Sequence, residues 1–323
     1  MTITLQDSNI VTGFFEVATS KRSNPDAALI DSLTSFAPLL KRLQWARSNK
    51  AVSHVFRSVD TIEGADVYDF DGQLPRMQVS FQLGSENLTP VGGLIEVGSD
   101  TAALVGGAPN YFREQALLLA RGLGMKLERS IFQKIVQTAF NKQRRWHLLE
   151  EDHKNPTDDG KAILAIVTPT AGELCGLYSP HFDKMTGDER FFELSKISGG
   201  NPYLNRDGVL VYGAYFRCVL GLLMANQKLH ATLSNIDSSA KNFREVFPLK
   251  MSLLLDECLV NENTVILMNT RLRTCVANTF ATHSTANAFV RFDERASLSI
   301  CGIPVLVSSN FESHPIPKAE EDK

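Results

Sequence analysis

The sequence predicts an α+β protein, and three observations lead to this prediction. Apolar and polar residues alternate along residues 76–83, which is the pattern of a strand with one apolar face. An apolar stripe with a spacing of three or four residues runs from residue 110 to about residue 142 and predicts one very long helix. Beyond residue 160, short β-branched segments alternate with helical patterns. The chain thus combines an extended segment, one long helix and a mixed domain.

Length and composition limit the class of protein. The 323 residues are enough for about two folding units or one elongated unit. With 43% apolar and 21% charged residues, collagen-like, disulfide-scaffold and wholly disordered proteins are excluded. The formal net charge of -3 predicts no strong overall attraction to nucleic acid or to anionic lipid, so any contact with a polyanion has to be local.

The first hundred residues are predicted to form an arm and a ribbon. Residues 1–49 form an extended arm, which carries one helix over residues 27–47 because apolar residues recur there at helical spacing. The ribbon begins with a strand whose apolar face carries Met77, Val79, Phe81 and Leu83. Residues 84–90 are predicted as its turn, and a return strand follows from Leu94. Because a two-stranded ribbon is marginal in water, its apolar face needs a partner, which could be another subunit.

The long helix is the strongest single element of the sequence. Asn110 is predicted to cap it, and about 33 residues would span about 50 Å. Leu123, Leu127 and Ile131 are predicted to lie on its buried face. Gly122 and Gly124 indicate a bend or a close approach of another backbone, or are simply tolerated in a well-packed helix.

The remaining residues are predicted to form a compact domain of mixed secondary structure. A charged boundary covers residues 144–160, and a loop-rich segment covers 168–205. Strands are predicted over 162–167, 209–215 and 264–268, and a strand pair or one bent strand over 298–307. Helices are predicted over 216–233, over 239–260 and from Asn269 to about Phe280. The tail over residues 313–323 is predicted to be peripheral.

The sequence contains none of the common catalytic motifs. A phosphate-binding loop, a dinucleotide fingerprint, H-E-x-x-H and G-x-S-x-G are all absent from it. The five cysteines lack metal-ligand spacing and are predicted to be free, mostly buried thiols of a chain that assembles in a reducing cytoplasm. No catalytic, cofactor-binding or metal-binding residue is therefore predicted, and no cofactor. The N-terminus has no secretory pattern, and no apolar run is long enough to predict a membrane span.

Two groups of residues are candidate sites. Cys175 with His181 and Asp183 could form a Cys–His nucleophile, but a buried thiol beside a loop histidine is the favoured interpretation. A basic cluster of Lys142, Arg144 and Arg145, with Trp146 and His147, could hold phosphates. The favoured interpretation is that these cations complement the dipole at the end of the long helix. His147 and His153 do not share a helix face and are interpreted as solvated surface.

Two ordered segments resemble a known family. The first is VGGLIEVGSD followed by YFREQALLLARGLGMKLERSIFQKIVQTAFNKQ, a strand that enters a very long helix. The second is MSLLLDECLVNENTVILMNTRLRTCVAN followed by RASLSICGIPVLVSSNF, a helix, a strand, a capped helix and a closing strand. This succession resembles the major capsid protein of tailed bacteriophages, which has the Hong Kong 97-type fold.

The resemblance implies a domain layout and a function. The layout is an N-terminal arm (1–49), an E-loop (50–100), a peripheral domain with a spine helix (101–160), an axial domain (161–312) and a C-terminal tail (313–323). The function implied is a non-enzymatic shell of hexamers and pentamers around packaged double-stranded DNA, in the virion capsid and assembled in the host cytoplasm.

The partners implied are other copies of the chain, a portal protein, scaffolding and decoration proteins, and weakly held DNA, with no membrane. One family member crosslinks its subunits through a lysine and an asparagine, and neither residue can be matched here. The alternatives are an encapsulin-like nanocompartment shell protein and an unrecognised cytosolic enzyme.

Overall fold

The computed structural model describes residues 12–13, 25–63, 76, 78–141, 146–148, 162–179, 193–236, 242–281, 289–292 and 298–311. The helices in these ranges are α1 (Pro25–Thr34), α2 (Pro38–Arg42), α3 (Ser99–Leu104), α4 (Ala108–Asn141), α5 (Phe243–Glu257) and α6 (Thr270–Ala281). The strands are β1 (Thr12–Gly13), β2 (Gln44–Arg47), β3 (Ser53–Glu63), β4 (Gln78–Asn87), β5 (Thr89–Gly98), β6 (Trp146–Leu148), β7 (Ala162–Val167), β8 (Leu174–Tyr178), β9 (Glu193–Lys196), β10 (Tyr203–Leu204), β11 (Leu210–Met224), β12 (His230–Ile236), β13 (Val265–Met268), β14 (Val290–Phe292), β15 (Leu298–Ile300) and β16 (Ile303–Val307).

The N-terminal segment is two short helices and a strand, so the prediction of one helix over residues 27–47 is wrong in its second half. Pro38 breaks the helix because a proline disfavours helical backbone at the preceding residue, and Ala37 has ψ 71°. After α2 the backbone becomes extended, and β2 pairs in parallel with β8.

The ribbon consists of β3 and β4, which form an antiparallel two-stranded sheet. The predicted turn over residues 84–90 is therefore wrong, and so is the return strand from Leu94 as the partner of β4. Strand β4 continues through Gly84, where the absent side chain leaves room for the Phe56 ring: a Cβ there would lie 2.4 Å from that ring. Leu88 then separates β4 from β5, and β5 pairs with β11 in another sheet.

Strand β11 organises the first large sheet. It has 15 residues, and β5 pairs with ten of them along one edge, while β8, β9 and β10 share the other edge. The predicted strand over 209–215 is thus longer than expected, and the predicted helix over 216–233 is wrong. Phe216, Cys218 and Leu220 are buried while Arg217 is exposed, so the burial follows the period of a strand.

The second large sheet has the order β14-β15-β16-β13-β7-β12-β6. The predicted strands over 162–167 and 264–268 are confirmed, and of the two alternatives for 298–307 the structure has the strand pair. The predicted cap of α6 is also confirmed, because the Leu272 N–H donates to Asn269 Oδ1 over 2.8 Å. Helices form over most of the predicted 239–260 range and from residue 270 onward.

The spine helix α4 has 34 residues, which corresponds to about 51 Å at 1.5 Å per residue. It begins at Ala108, so the prediction that Asn110 caps it is wrong; the Asn110 side chain instead donates to the Gly106 carbonyl over 3.1 Å. Gly124 allows the predicted close approach of another backbone, because a Cβ there would lie 1.8 Å from the Leu33 carbonyl oxygen of α1. At Gly122, by contrast, a Cβ would meet no atom within 4 Å.

Two hydrophobic cores lie on the two faces of β7. Ala165 and Val167 face the core that contains the spine helix, α1 and β11, whereas Leu164 and Ile166 face the core under α5 and α6. Of the predicted buried face of the spine helix, Ile131 is buried, and Leu123 and Leu127 are half-buried against the first core. The ribbon stands apart from these two cores, since no residue of β4 is buried.

Candidate assembly interface

The base of the ribbon is fixed by hydrogen bonds. The Asn49 side chain binds both backbone groups of Val55, accepting from its N–H over 2.9 Å and donating to its carbonyl over 2.6 Å. Ser179 donates from its hydroxyl to the Ala51 carbonyl over 2.6 Å. The Leu88 N–H donates to the Val52 carbonyl over 2.9 Å, which closes the base on its other strand.

Lys134 ties the ribbon to the spine helix. Its Nζ forms an ion pair with Glu86 Oε2 at 2.5 Å and also donates to the Leu222 carbonyl of β11 over 3.0 Å. One ammonium group therefore joins β4, the spine helix and β11. A charge-assisted bond of this kind fixes the direction in which the ribbon leaves the subunit.

The ribbon presents apolar side chains to solvent. Val79, Phe81 and Leu83 alternate along β4, and 38%, 58% and 70% of their surfaces are exposed. The register pairs Val59 with Phe81 and Ile62 with Val79, so apolar positions lie opposite apolar positions. The predicted need for a partner is thus unmet within the described part of the subunit; Met77, also predicted on this face, lies outside the described residues.

Further exposed apolar side chains lie in other parts of the chain, and several of them are neighbours. They include Leu104 and Val105 at the C-terminal end of α3, Leu204 and Val209 at the β10–β11 connection, Leu249 and Leu253 one turn apart on α5, and Leu259 and Val260 after α5. Single exposed apolar residues are ordinary on protein surfaces, but adjacent ones indicate contact sites. The subunit therefore has separate candidate contact surfaces, of which the ribbon is the most extended.

A buried carboxylate joins the N-terminal and C-terminal segments to the spine helix. Glu128 is fully buried on α4, and its Oε1 accepts from the Leu39 N–H over 2.7 Å. Its Oε2 accepts from the Ser308 hydroxyl and from the Asn310 amide, each over 2.7 Å. Burial raises the pKa of Glu128, and the three hydrogen bonds oppose this rise in pKa. The Asn310 amide also donates to the Phe36 carbonyl over 2.8 Å.

The predicted Cys–His pair gains no support. Cys175 is fully buried in β8, and desolvation raises the pKa of its thiol to about 11, which opposes formation of a nucleophilic thiolate. His181 and Asp183 lie outside the described residues. The prediction of mostly buried thiols outside any disulfide is confirmed: none of the five cysteines, all within the described residues, forms a disulfide, and Cys175, Cys218 and Cys258 are buried.

The basic cluster is only partly described. Lys142, Arg144, Arg145 and His153 lie outside the described residues. Trp146 and His147 belong to β6, which pairs in parallel with β12. Within the described ranges, no group of His, Cys, Asp and Glu side chains could hold a metal ion, and no helix is both long and apolar enough to cross a membrane.

The predictions from the sequence include neither Glu128 nor Lys134 as a residue that joins elements of the fold. Glu128 lies four residues after Gly124 and three before Ile131, so a carboxylate inside the apolar stripe was the available signal. Lys134 had no such signal, because an isolated lysine in a long helix usually faces solvent.

Comparison with known proteins gives a fold but no family model. No protein-family model matches the chain, and no curated protein matches it. Among solved structures, a chain of bacteriophage Epsilon15 matches with a TM-score of 0.52 and 11% identity, over 82% of this chain and 84% of that one. A chain of the bacteriophage JBD30 capsid matches with a TM-score of 0.53 and 8% identity, over 83% of this chain and 88% of that one.

The chain has the Hong Kong 97-type capsid fold. The similarity extends over more than four fifths of both phage chains. A chain of the encapsulin complex from Synechococcus elongatus PCC 7942 matches over 63% of this chain and 89% of that one, with 13% identity and a TM-score of 0.40.

Proposed function

We propose that this chain is the major capsid protein of a tailed phage and that it self-assembles into the icosahedral shell around a double-stranded DNA genome. The observation that carries the proposal is the Hong Kong 97-type fold, which covers 82% and 83% of the chain in two phage structures. The role is structural rather than enzymatic. Its site of action is the virion capsid, assembled in the host cytoplasm.

The distribution of exposed apolar surface supports this proposal. A closed dimer needs one self-complementary patch, whereas a shell subunit contacts several neighbours through different surfaces. Phe81 and Leu83 on the ribbon, Leu104 at the end of α3 and Leu249 on α5 belong to separate elements, and each is at least 58% exposed. The anchored base of the ribbon supports a role in reaching a second copy of the chain, because the ribbon is held in one direction while its apolar face stays uncovered.

The proposed layout keeps the predicted domain boundaries. Residues 1–49 form the arm, 50–100 the E-loop, 101–160 the peripheral domain, 161–312 the axial domain and 313–323 the tail. The proposed partners are other copies in hexamers and pentamers, the portal protein, scaffolding and decoration proteins, and packaged DNA.

Electron microscopy of the purified protein tests the proposal. Closed icosahedral particles that package DNA when expressed with the other phage structural proteins are the expected result. Closed particles that enclose a specific protein cargo instead would favour a nanocompartment shell. A small discrete oligomer that turns over a small molecule would contradict both shell functions.

The contribution of the ribbon to assembly is a separate prediction. Replacing Phe81 and Leu83 with Ser removes two exposed apolar side chains from β4, so the yield of particles should fall while the helical circular dichroism of the soluble subunit is retained. Gln78→Ser with Gln82→Ser is the matched control, since both residues are exposed polar positions on the same strand. Loss of the folded subunit in the apolar variant, or equal particle yields from both variants, would contradict the prediction.

A further inference from the structure

The exposed side of the middle of the spine helix carries an excess of positive charge. Arg121, Lys126 and Arg129 lie within nine residues of α4, a distance of about 12 Å along the axis. Between Glu114 and the end of the helix at Asn141, the one carboxylate is that of Glu128, which is fully buried. Lys134, the remaining cation there, is already paired with Glu86.

Helix α2 adds two more cations beside this segment. Lys41 and Arg42 form its last turn and are exposed, and they follow Leu39, whose N–H is bound by Glu128. We call these five residues the cationic face: Lys41, Arg42, Arg121, Lys126 and Arg129. Across the described part of the chain, none of the five is paired with a carboxylate. The nearest exposed acids in the sequence are Asp31 on α1 and Glu114, so positive charge is in excess.

We infer that the cationic face is the surface through which the subunit contacts the phosphate backbone of duplex DNA. The inference rests on the proposed function, and it identifies the surface for one of the proposed partners. Unpaired lysine and arginine side chains on a rigid element bind phosphates independently of base sequence, because each contact releases a condensed counterion.

Duplex rather than single-stranded nucleic acid fits this surface. Single strands are held by aromatic side chains on which their bases stack. The exposed aromatic residue here, Phe36, is covered on one side by Arg121, whose Cζ lies 4.8 Å from the ring centroid. Cations spread over two packed helices match the side of a duplex, which presents phosphates and no free bases. Five such contacts give weak, salt-sensitive attachment, which suits DNA that is enclosed and later released.

The test compares two variants of equal charge. The cationic-face variant replaces Lys41, Arg42, Arg121 and Lys126 with Gln; Arg129 is kept because its Nε is buried. The control variant replaces four exposed cations on other elements with Gln, namely Arg206, Lys228, Arg244 and Arg271. Binding of unassembled subunits to a short duplex of arbitrary sequence is measured by fluorescence anisotropy across a salt series.

With five phosphate contacts, the affinity of the parent should fall about 500-fold between about 50 and 200 mM salt. The cationic-face variant, with one contact left, should lose only about 3-fold over the same range. The control variant should keep the salt dependence of the parent. Equal salt dependences in the two variants, absence of binding by the parent at about 50 mM salt, or preferential binding to anionic vesicles at equal phosphate concentration would overturn the inference.

Microscopy separates this inference from the proposed function. Closed particles from the cationic-face variant, with weakened DNA binding, support both. A parent that binds duplex through this face but forms no particles would contradict the shell function and leave the DNA surface standing. If the parent forms closed particles but its DNA binding does not involve the cationic face, the shell function is supported and the inferred DNA surface is contradicted.

Discussion

The close contact between the spine helix and α1 can be tested with two glycines of the same helix. At Gly124 a Cβ would lie 1.8 Å from the Leu33 carbonyl oxygen, and atoms in real structures essentially never approach a Cβ within 3.0 Å. Gly124→Ala therefore has to push α1 away from the spine helix by about 1 Å. Leu33 is 1% exposed, so this shift disturbs a filled core rather than a surface.

The second glycine supplies the matched control. At Gly122 the added methyl group meets no atom within 4 Å, so Gly122→Ala should stabilise the helix by about 1 kcal/mol through propensity alone. Gly124→Ala gains the same propensity term but loses about 1–3 kcal/mol to overpacking. The free energies of unfolding of the two variants should thus differ by about 1–3 kcal/mol, because the propensity terms cancel.

Urea denaturation of the soluble subunit measures this difference, and hydrogen exchange locates it. Amides of α1 should exchange faster in Gly124→Ala than in Gly122→Ala, since α1 is the element that moves. If both variants raise the urea midpoint equally and leave the exchange of α1 unchanged, the close approach at Gly124 is refuted.

Three further predictions concern the cores. Ile135→Ala, at a fully buried position, should lower the free energy of unfolding by about 2–5 kcal/mol, and Leu127→Ala should lower it by less because the Leu127 side chain is half-buried. If urea denaturation shows equal losses of unfolding free energy in the two variants, the difference in burial is contradicted. Burial raises the pKa of Glu128, so the folded state binds the carboxyl proton more tightly than the unfolded chain does. The free energy of unfolding of the parent, relative to that of Glu128→Gln, should therefore fall as the pH rises from about 4 to 7. Unfolding at several pH values measures this difference, and the opposite slope would contradict it. An alkylating reagent at neutral pH should label exposed Cys301 before buried Cys175, as read by mass spectrometry, whereas equal labelling in the native subunit would contradict the placement of Cys175.

Elements specified by local patterns were predictable from the sequence. The spine helix, strand β7 and the cap at Asn269 depend on residues within a few positions of one another, and all three are present. Strand β11 was partly misjudged because an apolar run from Phe216 onward fits a helix as well as a strand until its pairing is known.

Long-range relations were not predictable in the same way. Strand β4 pairs with β3, which precedes it, and not with β5, which follows it. Strand β5 pairs instead with β11, which lies more than a hundred residues further along the chain. The apolar alternation at Phe81 and Leu83 was nevertheless visible, so the candidate interface could be identified although its strand pairing could not. The hydrogen bonds of Glu128 with Ser308 and Asn310 join residues 180 and 182 positions apart in the chain, and no local pattern predicts such contacts.

The hydrogen bonds of Glu128 also determine when part of the fold can form during synthesis. Its donors are Leu39 near the start of the chain and Ser308 and Asn310 near the end, so the carboxylate cannot receive all its hydrogen bonds until Asn310 has left the ribosome. At about 5–20 residues per second, the interval between translation of Leu39 and of Asn310 is roughly 15 to 50 s. During that interval the ionised side chain would be costly to bury, which delays docking of α2 on the spine helix. A nascent subunit therefore leaves the contact between α2 and the spine helix incomplete until the segment that contains Asn310 has been synthesised.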